Sequence, residues 1–348
     1  MSEQAIDDAL RVNLVQAKEM ILRCIKARLV PLLKGSPGCG KSAVIRQIAD
    51  EYNLKLIDLR LSQCDPTDLC GFPRIDEVTG KASYAPMDTF PLVGDAVPEG
   101  YDGWLILLDE LTSAPRAVQA SAYKLLHEQE IGSHQLHPKV AMVGAGNLDT
   151  DNAIVEPMST ALQSRLIHME VQLDSEAWLN WAMGAGIDHR ITSYIKYKPT
   201  VLYNFDPDHT DVTYASPRTW EYVSKLIHGA PALDHTWLPL LAGTVSQGVA
   251  REFIGHTKIY EDLVTIDEVK SNPQTARIPD QPSHLFALTG AMAAHASDKT
   301  INLLMPYMGR LPKEWQVVCL REVVRRDVSL MQSAPVKEWI SSNATELF

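Results

Sequence analysis

Cysteine is scarce and unpaired in this sequence. Cys24, Cys39, Cys64, Cys70 and Cys319 form no C-x-x-C framework, and an odd count of five suits a reducing compartment rather than a disulfide scaffold. Long apolar runs are missing too: none approaches the ~18 residues of a membrane span. The opening Met1-Ser2-Glu3-Gln4 lacks a basic region followed by an apolar one, so a cytoplasmic protein with no membrane segment is expected. Positive charge is short as well, with 32 Lys and Arg against 43 Asp and Glu and a net charge of -11. That balance argues against a surface built to coat nucleic acid, while leaving room for a local basic groove or an assembled pore. There is no internal repeat and no low-complexity tract. What is present is a 348-residue chain of ordinary hydrophobic content, long enough for two or three domains.

Gly35-Ser36-Pro37-Gly38-Cys39-Gly40-Lys41-Ser42 fits G-x-x-x-x-G-K-[ST] at every fixed position. Leu29-Val30-Pro31-Leu32-Leu33 precedes it as a short buried strand, and Ala43-Val44-Ile45-Arg46-Gln47-Ile48-Ala49 follows as a helix. The loop's N–H groups, with Ala43 opening the helix, would wrap a polyphosphate at the positive end of the helix dipole. Lys41 would reach the β- and γ-phosphates, and the Ser42 hydroxyl would ligate Mg²⁺. The bland alternative is a glycine-rich turn that binds nothing. Strand, loop, Lys-Ser and helix in register argue against it.

Residues 5–27 carry Ile6, Leu10, Leu14, Ala17, Met20, Ile21 and Ile25 at helical spacing, which predicts one or two amphipathic helices. Lys55–Arg60 alternates as a second strand, Trp104–Leu108 is a third, Val140–Gly146 a fourth and Leu166–Val171 a fifth. Between the second and third, residues 71–87 suggest a hairpin with a Thr79-Gly80-Lys81 tip, inserted into a helix. Ile131–Leu136 suggests a shorter hairpin, and the helix after Pro115 carries Val118, Ala122, Leu125 and Leu126 on one side. Strands alternating with helices predict a parallel α/β sheet covered on both faces. Beyond residue 173 the chain turns helical, around Trp178–Ala182, Tyr194 and Arg218–Val223. Residues 271–283, with Pro273, Pro279 and Pro282, mark a linker or docking arm before a final helical block over 284–345.

Hydrolysis needs more than a phosphate loop. Asp109, at the carboxyl end of a buried apolar strand, is placed to hold Mg²⁺, and Glu110 beside it to polarise an attacking water. A solvated acidic turn would look similar in isolation; the loop upstream favours the metal role. Asn147 ends the next strand with an amide able to orient that water, although an Asn after Gly144-Ala145-Gly146 alone is more often a turn residue. Arg165, between a helix and a strand, and Arg218, opening a later helix, are candidates for stabilising charge on the transferring phosphoryl group. A surface arginine in a salt bridge is the common alternative for each.

These pieces, in this order, resemble an AAA+ ATPase, and more narrowly the MoxR branch of the helix-two-insert group. Gly35–Ser42 matches Walker A, Leu105–Glu110 Walker B, Asn147 sensor 1, Arg165 the arginine finger and Arg218 the sensor 2 arginine. The hairpin near 71–87 matches the helix-two insert, and residues 129–138 the pre-sensor-1 hairpin. The resemblance covers residues 28 to 255. Asn147 is followed here by Leu148-Asp149 where many MoxR proteins have Asn-Pro, and Gln163-Ser164-Arg165 replaces Leu-Asp-Arg. The implied architecture is an N-terminal helical segment (1–27), a P-loop AAA+ core with a parallel sheet flanked by helices (28–172), a helical lid (173–265) and a helical C-terminal extension (266–348). The resemblance further implies ATP and Mg²⁺ as cofactors and a hexameric ring with the finger supplied in trans. It also implies a protein client, often with a von Willebrand factor A (VWA) domain partner.

Two other classes compete: a nucleic-acid-directed motor or restriction-type NTPase subunit, disfavoured by the acidic balance, and a small-molecule P-loop kinase, disfavoured by Glu110 beside Asp109. Weaker features have plainer accounts. Cys39 suits a small loop filler better than a reactive thiol. Cys64 with Cys70, and His134 with His137, make poor metal candidates. Arg321, Arg325 and Arg326 are expected on a solvated helix face beside Glu322 and Asp327.

Overall fold

The alternation of apolar strands and amphipathic helices ahead of residue 172 builds an all-parallel sheet. The computed structural model describes residues 10–75, 77–151, 155–258 and 263–343. The chain divides into two compact units, residues 1–174 with 206–208, and residues 175–205 with 209–348.

The strands of the first unit are β1 (Arg11–Val12), β2 (Val30–Lys34), β3 (Leu54–Arg60), β4 (Phe72–Ile75), β5 (Ala82–Ala85), β6 (Gly103–Asp109), β7 (Glu130–Ile131), β8 (His134–Gln135), β9 (Val140–Gly146) and β10 (Leu166–Val171). Its helices are α1 (Leu14–Lys26), α2 (Lys41–Glu51), α3 (Pro66–Cys70), α4 (Arg116–Glu128) and α5 (Thr160–Gln163). Six strands form one sheet in the order β1-β10-β2-β9-β6-β3, with every neighbouring pair parallel. Residues Trp104 to Leu108 of β6 are all buried because helices cover both faces. Ile106 and Leu108 share one core with Val118, Ala122 and Leu125 of α4. Leu105 and Leu107 share another with Ile21 of α1 and Val44, Ile45 and Ile48 of α2. Each such side chain contributes about 1.5–3 kcal/mol on leaving water, which makes this central strand a rigid mount for whatever follows it.

Three local expectations need correction. The helical pattern from residue 5 gives one described helix, which begins only at Leu14; residues 5–9 lie outside the described residues. Asn13 stops it there: its side chain accepts from Gln16 N at 2.9 Å while Gln16 Oε1 accepts from Asn13 N at 3.0 Å. Arg11 and Val12 instead lie beside Glu170 and Val171 of β10 as an edge strand. The first hairpin is present, β4 pairing antiparallel with β5, but it is not inserted into a helix. It follows the five-residue α3, and no helix is formed among residues 86–102, where Pro86, Pro91 and Pro98 remove donors and fix φ.

The second unit is helical: α6 (Ser175–Gly184), α7 (His189–Tyr197), α8 (Pro217–Leu226), α9 (Leu238–Val245), α10 (Gln247–Thr257), α11 (Ile266–Ser271), α12 (Pro282–Ala294), α13 (Ile301–Met308), α14 (Lys313–Arg326) and α15 (Ala334–Ser342). One core gathers Ile191, Tyr194, Trp220 and Phe253; another gathers Leu288, Tyr307, Leu320 and Val336. Lys196 of α7 ties the two by an ion pair to the buried Glu322 of α14 at 2.9 Å. The proline-rich stretch expected as a linker or arm is instead held down. Arg310 donates to the carbonyls of Pro273 (2.7 Å) and Ala276 (2.9 Å), and Tyr307 donates to that of Arg277 at 2.6 Å. Prolines leave carbonyls without helical partners, and these two side chains take them up. Residues 344 and 345 of the final block lie outside the described residues.

Candidate functional site

Sheet polarity decides which residues meet. β2, β6 and β9 run the same way with β9 in the middle, so the loop after β2, Asp109 at the end of β6 and Asn147 after β9 share the carboxyl edge. Gly40 lets the loop turn into α2: it stands at φ +102°, a conformation that costs a residue with a Cβ but not glycine.

Lys41 is buried, and its Nζ donates to Gly35 O (2.6 Å), Ser36 O (3.1 Å) and Asn147 Oδ1 (3.3 Å). Among the described residues its partners are neutral oxygens and the Cys39 sulfur, with no carboxylate. A buried ammonium without a counter-charge is costly, and a polyphosphate in this loop would supply one. Ser42 Oγ donates to Asp109 Oδ2 at 2.8 Å, two oxygen ligands of the kind Mg²⁺ takes beside phosphate oxygens and water. The residues present therefore fit a nucleotide with Mg²⁺.

Glu110 sits at φ 57°, ψ 30°, left-handed for a residue with a side chain, a strain of about 1 kcal/mol that neighbouring structure must hold. Its carboxylate accepts a hydrogen bond from Ser62, in the turn after β3. Asn147 is clamped through its main chain by Thr112, whose hydroxyl accepts from Asn147 N at 2.9 Å and donates to Asn147 O at 3.2 Å. Gly146 makes that approach possible, because a Cβ there would lie 2.5 Å from Thr112 Cγ2. Ser36 Oγ donates to Asp151 Oδ1 at 3.1 Å, and Asp151 Oδ2 is buried without a partner among the described residues. Ser62, Thr112 and Asp151 escaped the sequence reading, since each acts across 35 or more residues and none belongs to a local motif.

Cys39 is buried beneath the loop, where burial pushes its thiol pKa up and keeps it protonated, as suits a filler. Pro37, Gly38 and Ala43 complete the loop and the first turn of α2, with Ala43 exposed.

Arg165 lies elsewhere. It precedes Leu166, which pairs with Val30 at the start of β2, so it occupies the amino edge of the sheet, opposite the loop. Its guanidinium lies 4.2 Å over the Tyr123 ring and donates to Ala161 O at 2.7 Å. Arg218 belongs to the second unit, exposed on the first turn of α8. Among the described residues no cluster of three or more His, Cys, Asp or Glu could hold a metal; His137 packs against Trp104 with ring centroids 4.9 Å apart.

This sheet order and site define a P-loop α/β fold of the AAA+ class, followed by additional helices. Residues 31–166 match the family described as AAA domain (dynein-related subfamily), less than half of the chain. An AAA+ domain generally hydrolyses a nucleoside triphosphate and commonly works in a ring. No curated protein matches the sequence. Among solved structures, a candidate ATPase from Cytophaga hutchinsonii is 15% identical over 98% of this chain and 92% of its own, with a TM-score of 0.37. A mutant RuvB from Thermotoga maritima is 14% identical over 75% of this chain and 74% of its own, TM-score 0.38. NtrX from Brucella abortus is 14% identical over 90% and 67%, TM-score 0.35. At such scores the residues and roles of those proteins do not transfer to this one. Among the described residues no helix is long and apolar enough to cross a membrane.

Proposed function

We propose that this protein is an ATP-hydrolysing AAA+ remodelling ATPase of MoxR type, working as a hexameric ring on a protein client. The resemblance to that branch, whose members often act with a VWA-domain protein, makes such a protein the partner to test. The observation that carries the reading is the division of charged groups between the two sheet edges. Lys41, Ser42, Asp109, Glu110 and Asn147 stand together, while Arg165 stands at the other edge of the same sheet.

Lys41 exchanges its carbonyl partners for phosphate oxygens and holds them against the loop. Ser42 and Asp109 would hold Mg²⁺, which would supply charge neutralisation to the phosphate oxygens. Glu110 takes the proton of the attacking water, and Asn147, fixed by Thr112, orients that water. Arg165 serves the site of the next copy, since a head-to-tail contact that closes gives a ring with one finger per boundary. Arg218 contributes to charge stabilisation from the helical unit. The β4–β5 hairpin supports the client reading: Phe72, Ile75, Val78 and Tyr84 are at least half exposed, Val78 by 95%.

Mixing variants tests the arrangement. Arg165→Ala and Glu110→Gln should each be inactive alone, and mixed rings should regain turnover, because an Arg165→Ala subunit keeps its glutamate and receives an arginine from its neighbour. Six-copy assemblies should appear with ATP in native mass spectrometry. No recovery on mixing, together with full activity of a monomer, would sink the ring reading.

A further inference from the structure

Arg321 and Arg325 lie on the solvated face of α14 that the sequence suggests, but Glu322 does not lie there with them. Glu322 is turned inward and buried, committed to Lys196 at 2.9 Å. Asp327 caps the turn after α14, accepting from Ser329 N at 2.9 Å and Ser329 Oγ at 2.6 Å. Glu322 is therefore committed to another cation, and Arg321 and Arg325 stand exposed without an ion pair among the described residues.

These two arginines, one helical turn apart, flank a cavity of about 290 Å³ between α14 and α15. Its walls are apolar: Val317, Leu320 and Val324 on one helix, Val336, Trp339 and Ile340 on the other. Val317 and Val324 are half-buried and seven residues apart on one face, matching the anchor spacing of a second helix, while Leu320 and Val336 form the floor of the cleft as part of the core. An apolar cleft open to water is unfavourable by itself, and two unneutralised guanidinium groups beside it repel a basic visitor. The arrangement is unusual in a chain whose net charge is -11.

We propose that this groove docks an amphipathic helix of another protein, with apolar residues along one face and carboxylates one turn apart along its edge. The apolar face fills the cleft, and the carboxylates pair with Arg321 and Arg325. Bidentate guanidinium–carboxylate contacts fix the register, which a lysine pair would do less well. The surface lies in the helical unit and does not depend on nucleotide chemistry in the first.

Three labelled synthetic helices about five turns long test this against the full chain by fluorescence anisotropy. One carries a Leu stripe flanked by Glu, the second has Lys in place of each Glu, and the third is a scramble of the first. The acidic amphipathic helix should bind, and raising salt from roughly 0.05 M to 0.5 M should weaken it. Binding should fall at least about tenfold in Arg321→Glu/Arg325→Glu, and by less in Arg321→Gln/Arg325→Gln, which keeps the aliphatic stems. Equal binding of the basic or scrambled helix would overturn the proposal, as would indifference to charge reversal. Binding that appears only after removal of residues 344–348 would make the chain's own last residues the occupant and overturn it. A change in assembly mass on charge reversal would assign the groove to a second copy, with the same result.

Discussion

Ser42 Oγ donates to Asp109 Oδ2 at 2.8 Å, joining the first turn of α2 to the end of β6 across 67 residues of sequence. Asp109→Asn keeps an oxygen to accept that hydrogen bond but removes the charge. Metal affinity in the presence of ATP should fall about 10- to 100-fold, while ATP binding without Mg²⁺ is unchanged. Nucleotide titrations at stepped Mg²⁺ concentrations measure both. An equal loss of binding with and without metal would remove Asp109 from this role.

Glu110 is held in a left-handed conformation with its carboxylate on Ser62. Glu110→Gln should bind ATP normally and lose turnover by about 100- to 10,000-fold, the usual contribution of a general base. Ser62→Ala should lose less, because it frees the carboxylate without removing it. Phosphate-release assays decide; continued hydrolysis by Glu110→Gln would sink the assignment.

Gly146→Ala would drive a methyl group into Thr112, 2.5 Å away. Overpacking of this kind costs about 1–3 kcal/mol, visible as a lowered melting temperature. It should also loosen the clamp on Asn147 and slow turnover. Adding Thr112→Ala should restore stability but not turnover, since the space returns and the clamp does not. Restored turnover in the double variant would show that the clamp is dispensable.

His189, in the helical unit, has its pKa lowered to about 4 from 6.5. Burial is the main cause; Asp188 opposes it, while Arg190, His295 and Arg326 assist. The unfolded chain therefore takes up a proton between pH 6.5 and about 4 that the folded chain refuses. Stability from this group is complete above its unfolded value and is lost as pH falls through that window, on the order of 3 kcal/mol. Denaturant melts at stepped pH should show the loss, and His189→Gln should flatten it. An unchanged slope in the variant would assign the pH dependence to other groups.

Much of the first unit was written locally. Strand ends at Lys34, Asp109 and Gly146 fall within one residue or so of where apolar runs stop, because a strand buried on both faces must be apolar throughout. The helix start at Leu14 was hidden, since Arg11 and Val12 satisfy a helical period as well as a strand; Asn13 and the edge of β10 broke the tie. Arg321 and Arg325 of α14 are solvated as their spacing suggests, but the acids beside them in sequence do not pair with them. Spacing puts Glu322 beside them, yet burial turned that acid inward to Lys196, and Asp327 caps the following turn.

Sequence alone determined the phosphate loop, the acidic end of β6 and the asparagine after β9, because each depends on residue type at fixed local spacing. Only the tertiary structure decided that β9 lies between β2 and β6, which brings Lys41 to Asn147 and Ser42 to Asp109. It alone set Arg165 at the opposite edge and recruited Ser62, Thr112 and Asp151. Such contacts span tens of residues, and their partners follow from which strands pair and in which direction, a property of the whole sheet rather than of any segment.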